Sequence, residues 1–317
     1  MDRIKSRLGH IGHSRDKTPN MAQNELILVD PGKDANIDIV FLPRFGAQGL
    51  SGWTAKDQGN DVIWPKDFLA ADIPKARILA YGYHADANLW DYKTDASHLC
   101  GQLKQRRSGD SAPRPIVFVA HSLGGILAAQ VVVGGDPSIS KCVQGLVLFG
   151  TPFQRKSTLA LSDILESIAK LYRLPKDGFG GEIQTLGELS KRLSDKDNKI
   201  KFRPFSEEQE GLVNKEAATV PGTSTVPPVI AEDHDNLCKF NSKRPWYACI
   251  IGDLKELAKV ETDEAANEMT NNGHIGTHVR RDVHGGVHNN NGGSVVYGQN
   301  NYHGTASESR RGESQRW

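Results

Sequence analysis

The chain has 317 residues, 38% of them hydrophobic, and a formal net charge of +1. This length suits one enzyme-sized domain with tails, and the interspersed charges argue against a nucleic-acid-binding surface or a polyanionic substrate. Four widely spaced cysteines form no paired metal-ligand motif, which predicts buried, reduced thiols in an intracellular protein. We therefore expect no metal and no other cofactor.

The N-terminal segment, residues 1–24, lacks the apolar stretch of a secretory signal and is predicted to be a disordered leader. Its basic residues also fit a weak organelle-targeting presequence, which is the alternative. No apolar run in the chain approaches the length of a membrane-spanning helix.

From Glu25 onward, short apolar runs alternate with helical segments, the pattern of a parallel sheet covered by helices. The predicted strands are Glu25–Val29, Ile37–Leu42, Ala76–Tyr81, Pro115–Ala120, Gln144–Phe149, Ile200–Phe205 and Pro228–Ala231. The predicted helices include Thr94–Arg106, Leu123–Val133 and Pro245–Lys259.

One strand-to-helix junction carries a candidate nucleophile, within PIVFVAHSLGGILAA. A tight turn that lifts a serine above a sheet needs small residues two positions before and after it, and Ala120 and Gly124 flank Ser122 in this way. The backbone amide of Leu123 would lie at the start of the helix, where it can face a developing oxyanion. The pattern predicts a nucleophile elbow with alanine at the first glycine position.

Beyond Phe149, residues 154–199 form an insertion with its own helical periodicity. The apolar positions form two stripes: Leu161, Ile164, Leu165, Ile168, Leu171 and Tyr172, and then Ile183, Leu186, Leu189 and Leu193. The insertion is either a lid that receives an acyl chain or an ordinary helical layer packed on the sheet.

A serine nucleophile needs a base and an acid, usually in the chain order serine, acid, histidine. Of eleven histidines, His234 alone follows a late strand and precedes the final helix of the compact region, in AEDHDNLCKF. His121, inside the elbow, is expected to pack or to form a backbone hydrogen bond. Glu207 follows a predicted strand directly and is the first choice for the acid, while Glu208 and Asp233 remain alternatives.

The C-terminal segment, residues 260–317, is poor in aliphatic residues and is predicted to be a disordered tail rich in Asn and Gly. Within it, residues 285–304 read GGVHNNNGGSVVYGQNNYHG, where short apolar pairs between Asn and Gly clusters are typical of cross-β stacking. The tail histidines do not predict a metal site, because the glycines disfavour the helix that their spacing would require.

Several blocks, in order, resemble the lipase-like serine hydrolases of fungi, the SesB-like family. The blocks are ELILVDPGKDANIDIVFLP, WPKDFLAADIPKARILAYGY, RPIVFVAHSLGG, GLVLFGTPF and EDHDNLCKF. This family is similar to the hydrolase domain associated with NOD-like receptors and is related to the animal mitochondrial serine-active-site proteins. The resemblance covers about Glu25 to Leu257 and implies an α/β-hydrolase domain, residues 25–259, with Ser122 as nucleophile, Glu207 as acid and His234 as base.

The main departure from that family lies after the second strand, where a His-Gly pair usually supplies half of the oxyanion hole. Here Pro43 and Arg44 take those places. Proline donates no amide and arginine crowds the loop, so the second donor is expected from Arg44 or Phe45, beside Leu123. Losing one such donor typically costs about 10²- to 10³-fold in rate. A second departure is Phe153, where the family often has histidine.

The resemblance implies a serine esterase or lipase that acts on carboxylic or thio esters through an acyl-enzyme, in nonself recognition or lipid metabolism. One alternative is a weak or inactive hydrolase scaffold that acts as an effector or adaptor, its tail assembling with itself or with a NOD-like receptor through residues 285–304. Another is a transacylase in lipid remodelling. The expected partners are an ester or lipid substrate and a membrane surface, with no nucleic acid. A cytoplasmic location is expected, and mitochondrial or endoplasmic-reticulum membrane association is the alternative.

Overall fold

The computed structural model describes residues 24–258 except 58, 84–90, 111–112, 157–159, 174–187, 190, 194–199, 209–210 and 244. These residues all belong to one compact unit, Met1–Ala265, and a second unit, Ala266–Trp317, lies outside them. The predicted leader (apart from Asn24), the tail with residues 285–304 and much of the insertion therefore lie outside the described residues, and so does the proposed domain boundary at 259.

Six strands form the main sheet in the order β1-β5-β2-β6-β7-β8, and β3 and β4 form a separate hairpin. The strands are β1 Glu25–Asp30, β2 Ile37–Leu42, β3 Thr54–Asp57, β4 Asn60–Ile63, β5 Ala76–Gly82, β6 Ile116–His121, β7 Val143–Phe149 and β8 Lys201–Phe205. Strand β1 runs antiparallel to β5, and every other neighbouring pair of the main sheet is parallel. The predicted parallel sheet is confirmed, and the ends of its six strands differ from the prediction by at most one residue.

One predicted strand is wrong. Residues Pro228–Ala231 contribute only an isolated bridge, in which Val229 pairs with Ser206. Pro228, at the start of this stretch, and Pro227 before it cannot donate ladder hydrogen bonds, which limits the pairing to a short contact.

Most helices lie between strands in the sequence, and the last two follow β8. They are α1 Ala70–Asp72, α2 Tyr92–Arg106, α3 Leu123–Gly134, α4 Pro137–Ser140, α5 Leu161–Leu171, α6 Lys215–Ala218 and α7 Trp246–Leu257, with a 3₁₀ helix at Gly49–Trp53 and a π-helical turn at Pro65–Leu69. Helix α2 begins before the predicted Thr94, because the Asp91 side chain accepts hydrogen bonds from the amides of Lys93 and Thr94 and caps it there. Within the described part of the chain, no helix is long and apolar enough to cross a membrane.

The sheet has a core on each face, built from alternate residues of its buried strands. Leu42, Ala120 and Leu148 point into the core that contains α2, α3 and α5. Their neighbours Phe41, Val119 and Phe149 point into the opposite core, which contains α7. Because both faces are covered, these strands are almost uniformly apolar, which made them readable in the sequence.

The four cysteines are free thiols. Cys100 and Cys238 are buried, as expected, but Cys142 is half-buried and Cys249 is exposed on α7. The expectation of burial is therefore wrong for Cys249, which lies on the outer side of its helix, and Cys142 meets it only in part.

The carboxyl ends of β2, β5, β6, β7 and β8 meet at one edge of the sheet, since these strands are parallel. From β2 the chain continues to β5 on one side and then to β6 on the other, so the loops after β2 and β6 diverge at this edge. Such a switch point opens a crevice where ligands bind in α/β proteins. The strand order and the sharp turn between β6 and α3 are those of an α/β-hydrolase fold.

Candidate active site

The turn between β6 and α3 holds Ser122 in a strained conformation, with φ 53° and ψ −128°. A non-glycine residue with positive φ is uncommon and persists only where its surroundings enforce it. Here the Ser122 amide donates to the carbonyl of Phe149 at 2.8 Å, and the amide of Gly125 donates to the Ser122 carbonyl at 3.0 Å. Helix α3 begins at Leu123, whose amide has no acceptor within the helix.

Glycines after the serine are required by close packing. A Cβ atom at Gly124 would collide with the carbonyl oxygens of Leu42 and Pro43, and one at Gly125 would collide with the side chain of Thr151. The elbow therefore packs directly against the end of β2. This contact places the loop after β2, which contains Arg44 and Phe45, beside the start of α3.

The structure brings Ser122, His234 and Glu207 together. The Ser122 Oγ lies 2.8 Å from Nε2 of His234, and Nδ1 of His234 lies 2.6 Å from Oε1 of Glu207. A carboxylate accepts, so Nδ1 carries the proton and Nε2 is free to accept from the serine hydroxyl. All three side chains are buried.

A tight turn fixes the Glu207 carboxylate. Its Oε2 accepts from the amide of Leu212 at 2.7 Å, and its Oε1 accepts from the amide of Val213 at 3.1 Å as well as from the imidazole. Gly211 is needed in this turn, because a Cβ there would meet the Glu207 side chain. These three donors hold the carboxylate in one orientation against the imidazole.

Neither alternative candidate for the acid, Glu208 or Asp233, is the carboxylate that contacts His234 Nδ1. Glu208 is exposed, and Asp233 uses its carboxylate to accept from the amides of Asp235 and Asn236 in the loop that carries His234. Among the residues that the structure describes, no group of three histidine, cysteine, aspartate or glutamate side chains is arranged to hold a metal ion.

The side chains of Trp64 and His121 hold the loop of His234 through hydrogen bonds to its main-chain carbonyls. The indole Nε1 of Trp64 donates to the carbonyl of Cys238 at 2.9 Å, and Nε2 of His121 lies 2.7 Å from the carbonyl oxygen of His234. The sequence left packing and a backbone hydrogen bond open for His121, and the structure shows the hydrogen bond. The role of Trp64 carried no sequence signal, because 174 residues separate it from its partner.

The Arg44 side chain extends toward the loop of His234. Its Nε donates to Oδ1 of Asp235 at 2.9 Å, and its guanidinium carbon lies 3.9 Å from the centre of the Tyr172 ring. These contacts are an ion pair and a cation–π contact. They join the loop after β2 to the loop that carries His234, here called the base loop, and to the end of α5. Burial tends to raise the pKa of Asp235, but the hydrogen bond from Lys239 and the charges of Lys239 and Arg44 outweigh it and lower that pKa.

Tyr172 covers the site from the insertion. Its ring centre lies 6.1 Å from that of His234, and burial raises the pKa of its hydroxyl, which has no hydrogen-bond partner among the described residues. Ser122 beneath has no solvent-exposed surface. A cleft of about 740 Å³ opens between α5, the Glu207 turn and the loop of His234, and Leu171 is an apolar residue on its wall.

The predicted insertion is helical at Leu161–Leu171 and at residues 188–189 and 191–193, whereas its described residues 154–156, 160 and 172–173 are not helical. Helix α5 buries Ile164, Leu165 and Ile168 of the first apolar stripe, and Leu189 and Leu193 of the second stripe are also buried. Ile183 and Leu186 lie outside the described residues. The stripe packs on the α3 side of the sheet, while its last residues, Leu171 and Tyr172, reach the site.

Comparison with known proteins finds distant relatives. No protein-family model matches the chain. It is similar to Protein SERAC1 of Danio rerio, with 25% identity over 273 residues, covering 72% of this chain and 41% of that protein. The similarity to Protein SERAC1 of Homo sapiens is 24% over 139 residues, covering 36% and 21%. The chain thus spans less than half the length of these curated relatives.

Solved structures with a similar arrangement are also distant. The mature form of Bacillus licheniformis lipase BlEst2 has a TM-score of 0.49 and 15% identity, over 73% of this chain and 99% of that one. Esterase B from Lactobacillus Rhamnosis has a TM-score of 0.47 and 12% identity, over 75% and 81%. The strand order and the elbow of this chain are the features that identify its α/β-hydrolase fold.

Proposed function

We propose that this chain is a serine hydrolase that cleaves carboxylic or thio esters through an acyl-enzyme. The observation that carries the proposal is the continuous hydrogen-bonded series from Ser122 through His234 to Glu207. A weakly nucleophilic hydroxyl, a base at hydrogen-bond distance and a group that orients the base are the minimum requirement for acyl transfer.

In the acylation step, the Ser122 Oγ attacks the ester carbonyl carbon while Nε2 of His234 takes the hydroxyl proton. Glu207 keeps the imidazole oriented and stabilises the imidazolium that forms. The tetrahedral oxyanion is stabilised by the amide of Leu123 and by an amide of the Arg44–Phe45 loop. The imidazolium then protonates the departing alcohol or thiol, which leaves an ester between the acyl group and Ser122.

Deacylation repeats the sequence with a second acceptor. His234 removes a proton from water, the hydroxide adds to the acyl carbon, and the carboxylic acid leaves as Ser122 regains its proton. An alcohol can replace water in this step, which would make the chain a transacylase. The buried position of Ser122 favours exclusion of water and makes this second outcome worth measuring.

The test is labelling with a fluorophosphonate probe, which reacts with activated serines. We expect the wild type to be labelled and Ser122→Ala to be unlabelled with an unchanged melting temperature. Labelling that persists in Ser122→Ala, or a folded wild type that is not labelled, would contradict the proposal. Product analysis of a thioester in the presence of glycerol then separates hydrolysis from acyl transfer.

A second candidate function comes from the composition of residues 285–304, which lie outside the described residues. We propose that this segment assembles as cross-β, so that the chain can act as an effector or adaptor with a NOD-like receptor or with its own copies. Fibres of the full chain with a spacing of about 4.7 Å, lost on deletion of 285–304, are the expected result. A chain that stays monomeric at high concentration would contradict it.

A further inference from the structure

We propose that His121 is a positioning residue that keeps the base in register with the nucleophile, an inference that rests on the proposed function. His121 immediately precedes Ser122, and its Nε2 donates to the main-chain carbonyl of His234 at 2.7 Å. The elbow and the base loop are therefore joined twice, once through the serine hydroxyl and once through this side-chain-to-backbone bond. Both bonds are buried.

The acceptor determines where His121 carries its proton. A carbonyl oxygen can only accept, so Nε2 bears the hydrogen and Nδ1 of the neutral ring is bare. Nδ1 is buried without a hydrogen-bond partner in the part of the chain that the structure describes. Burial first, and then the nearby His234, hold the pKa of His121 well below its ordinary value. The hydrogen bond to the His234 carbonyl and then the charge of Asp235 raise this pKa, and the charge of Arg44 lowers it further, so burial outweighs the opposing causes.

Neutrality matters because the rings of His121 and His234 lie only 5.2 Å apart, centre to centre. His234 becomes a cation when it takes the proton of Ser122. A charged imidazole at this distance would oppose that step, whereas a neutral one donates a hydrogen bond and adds no net charge. The position thus suits a group that fixes geometry without competing with the base.

The hydrogen bond from His121 to the His234 carbonyl matters most in the acyl-enzyme. Once Oγ of Ser122 is esterified, it has no hydrogen to donate to His234, and that contact is lost. The bond from His121 to the His234 carbonyl involves neither reacting atom and persists. It therefore keeps the imidazole beside the acyl carbon while water enters, so removing it should slow deacylation more than acylation.

The test compares His121→Leu with His121→Gln in stopped-flow hydrolysis of p-nitrophenyl butyrate, where the burst reports acylation and the steady state reports deacylation. Glutamine can place its amide Nε2 where the imidazole Nε2 lies and keep the donor. We expect His121→Leu to lower the deacylation constant about 10- to 100-fold and the acylation constant by less. His121→Gln should stay within about threefold of the wild type. Unchanged kinetics in a folded His121→Leu, or equal losses in both variants, would overturn the inference.

Failure of the proposed function has a different signature, because the wild type would then show no burst, or Ser122→Ala would show the same one. In that case, the hydrogen bond from His121 to the His234 carbonyl is tested by ¹⁵N NMR of the imidazoles. We expect His121 to carry a slowly exchanging proton on Nε2 and none on Nδ1 from pH 6 to 8. A proton on Nδ1, or rapid exchange at Nε2, would contradict it.

Discussion

The site has two sides that are built differently. On the buried side, defined by Ser122, His234 and Glu207, both imidazole nitrogens and both carboxylate oxygens have partners between 2.6 and 3.1 Å away. On the entrance side, defined by Arg44 and Tyr172, the arginine side chain is 26% exposed and the tyrosine hydroxyl is buried without a partner among the described residues.

We infer from this difference that the buried side carries the reacting groups and that the entrance side controls how substrate reaches them. A change on the buried side removes a partner from a fully matched network, which is costly because the remaining group stays buried. The entrance side is joined by a half-exposed ion pair and a cation–π contact, which are weaker. Because Ser122 has no exposed surface, we expect substrate entry to rearrange the entrance side and leave the buried side in place.

The largest effect should come from Glu207→Gln. The amide has an NH₂ group to place against the amides of Leu212 and Val213 or against the imidazole, and it no longer stabilises the imidazolium. We expect kcat for p-nitrophenyl butyrate to fall by about 10³- to 10⁴-fold. The exposed neighbour provides the control, since Glu208→Gln should keep full activity. A Glu207→Gln enzyme with near-normal kcat would assign the acid elsewhere.

Gly124→Ala tests the packing that underlies the buried side. The new methyl group would overlap the carbonyls of Leu42 and Pro43, which are backbone atoms that cannot turn aside. We expect the free energy of unfolding to fall by about 2–4 kcal/mol in urea titrations, with loss of labelling. Gly101→Ala is the matched control, because a Cβ there meets nothing within 4 Å. Equal stability of the two variants would refute the steric account.

His121 should make stability depend on pH. Its folded pKa is depressed, so below about pH 6.5 the unfolded chain binds a proton that the folded chain does not. The stability contribution is complete above that pH and is lost as pH falls, by up to about 1.4 kcal/mol per unit. Glutamine does not titrate, so we expect urea titrations to show the free energy of unfolding of the wild type falling relative to that of His121→Gln as the pH is lowered from 8 to 5. A constant difference, or the same trend for exposed His98→Gln, would contradict this.

The smallest effect is expected on the entrance side, from Tyr172→Phe. Removing a buried hydroxyl that lacks a partner should raise the free energy of unfolding by about 1 kcal/mol, while the ring still stacks on Arg44. Tyr247→Phe is the opposite case, because its hydroxyl donates to Asp72 at 2.6 Å. A thermal-unfolding series in which both variants are destabilised would show that the Tyr172 hydroxyl has a partner.

What the sequence predicted well depends on local sterics and on buried strands. Ala120, Ser122 and Gly124 form a turn whose residue sizes are dictated within five positions, and the apolar strands around it were predicted to within one residue at each end. Glu207 and His234 were readable as polar residues directly after strand-like segments. The acid could be chosen over Glu208 and Asp233 only by position, and the structure brings that choice to the imidazole.

What the sequence did not predict depends on contacts between distant segments. Arg44 and Asp235 are 191 residues apart, and nothing near either one indicates the other. Tyr172 was read as the end of an apolar stripe, because helical periodicity cannot show that the last turn of α5 reaches His234. The bridge at Val229 was read as a strand, because a β-branched pair between prolines and alanine has strand-like composition.

The central claim, that Ser122 carries the acyl group, is tested most directly by mass spectrometry. The full chain is mixed with p-nitrophenyl butyrate, quenched in acid during the burst and digested. We expect one butyryl group per chain, located on the peptide that contains Ser122 and absent in Ser122→Ala. Turnover with no acylated peptide, or with the butyryl group on another residue, would contradict it.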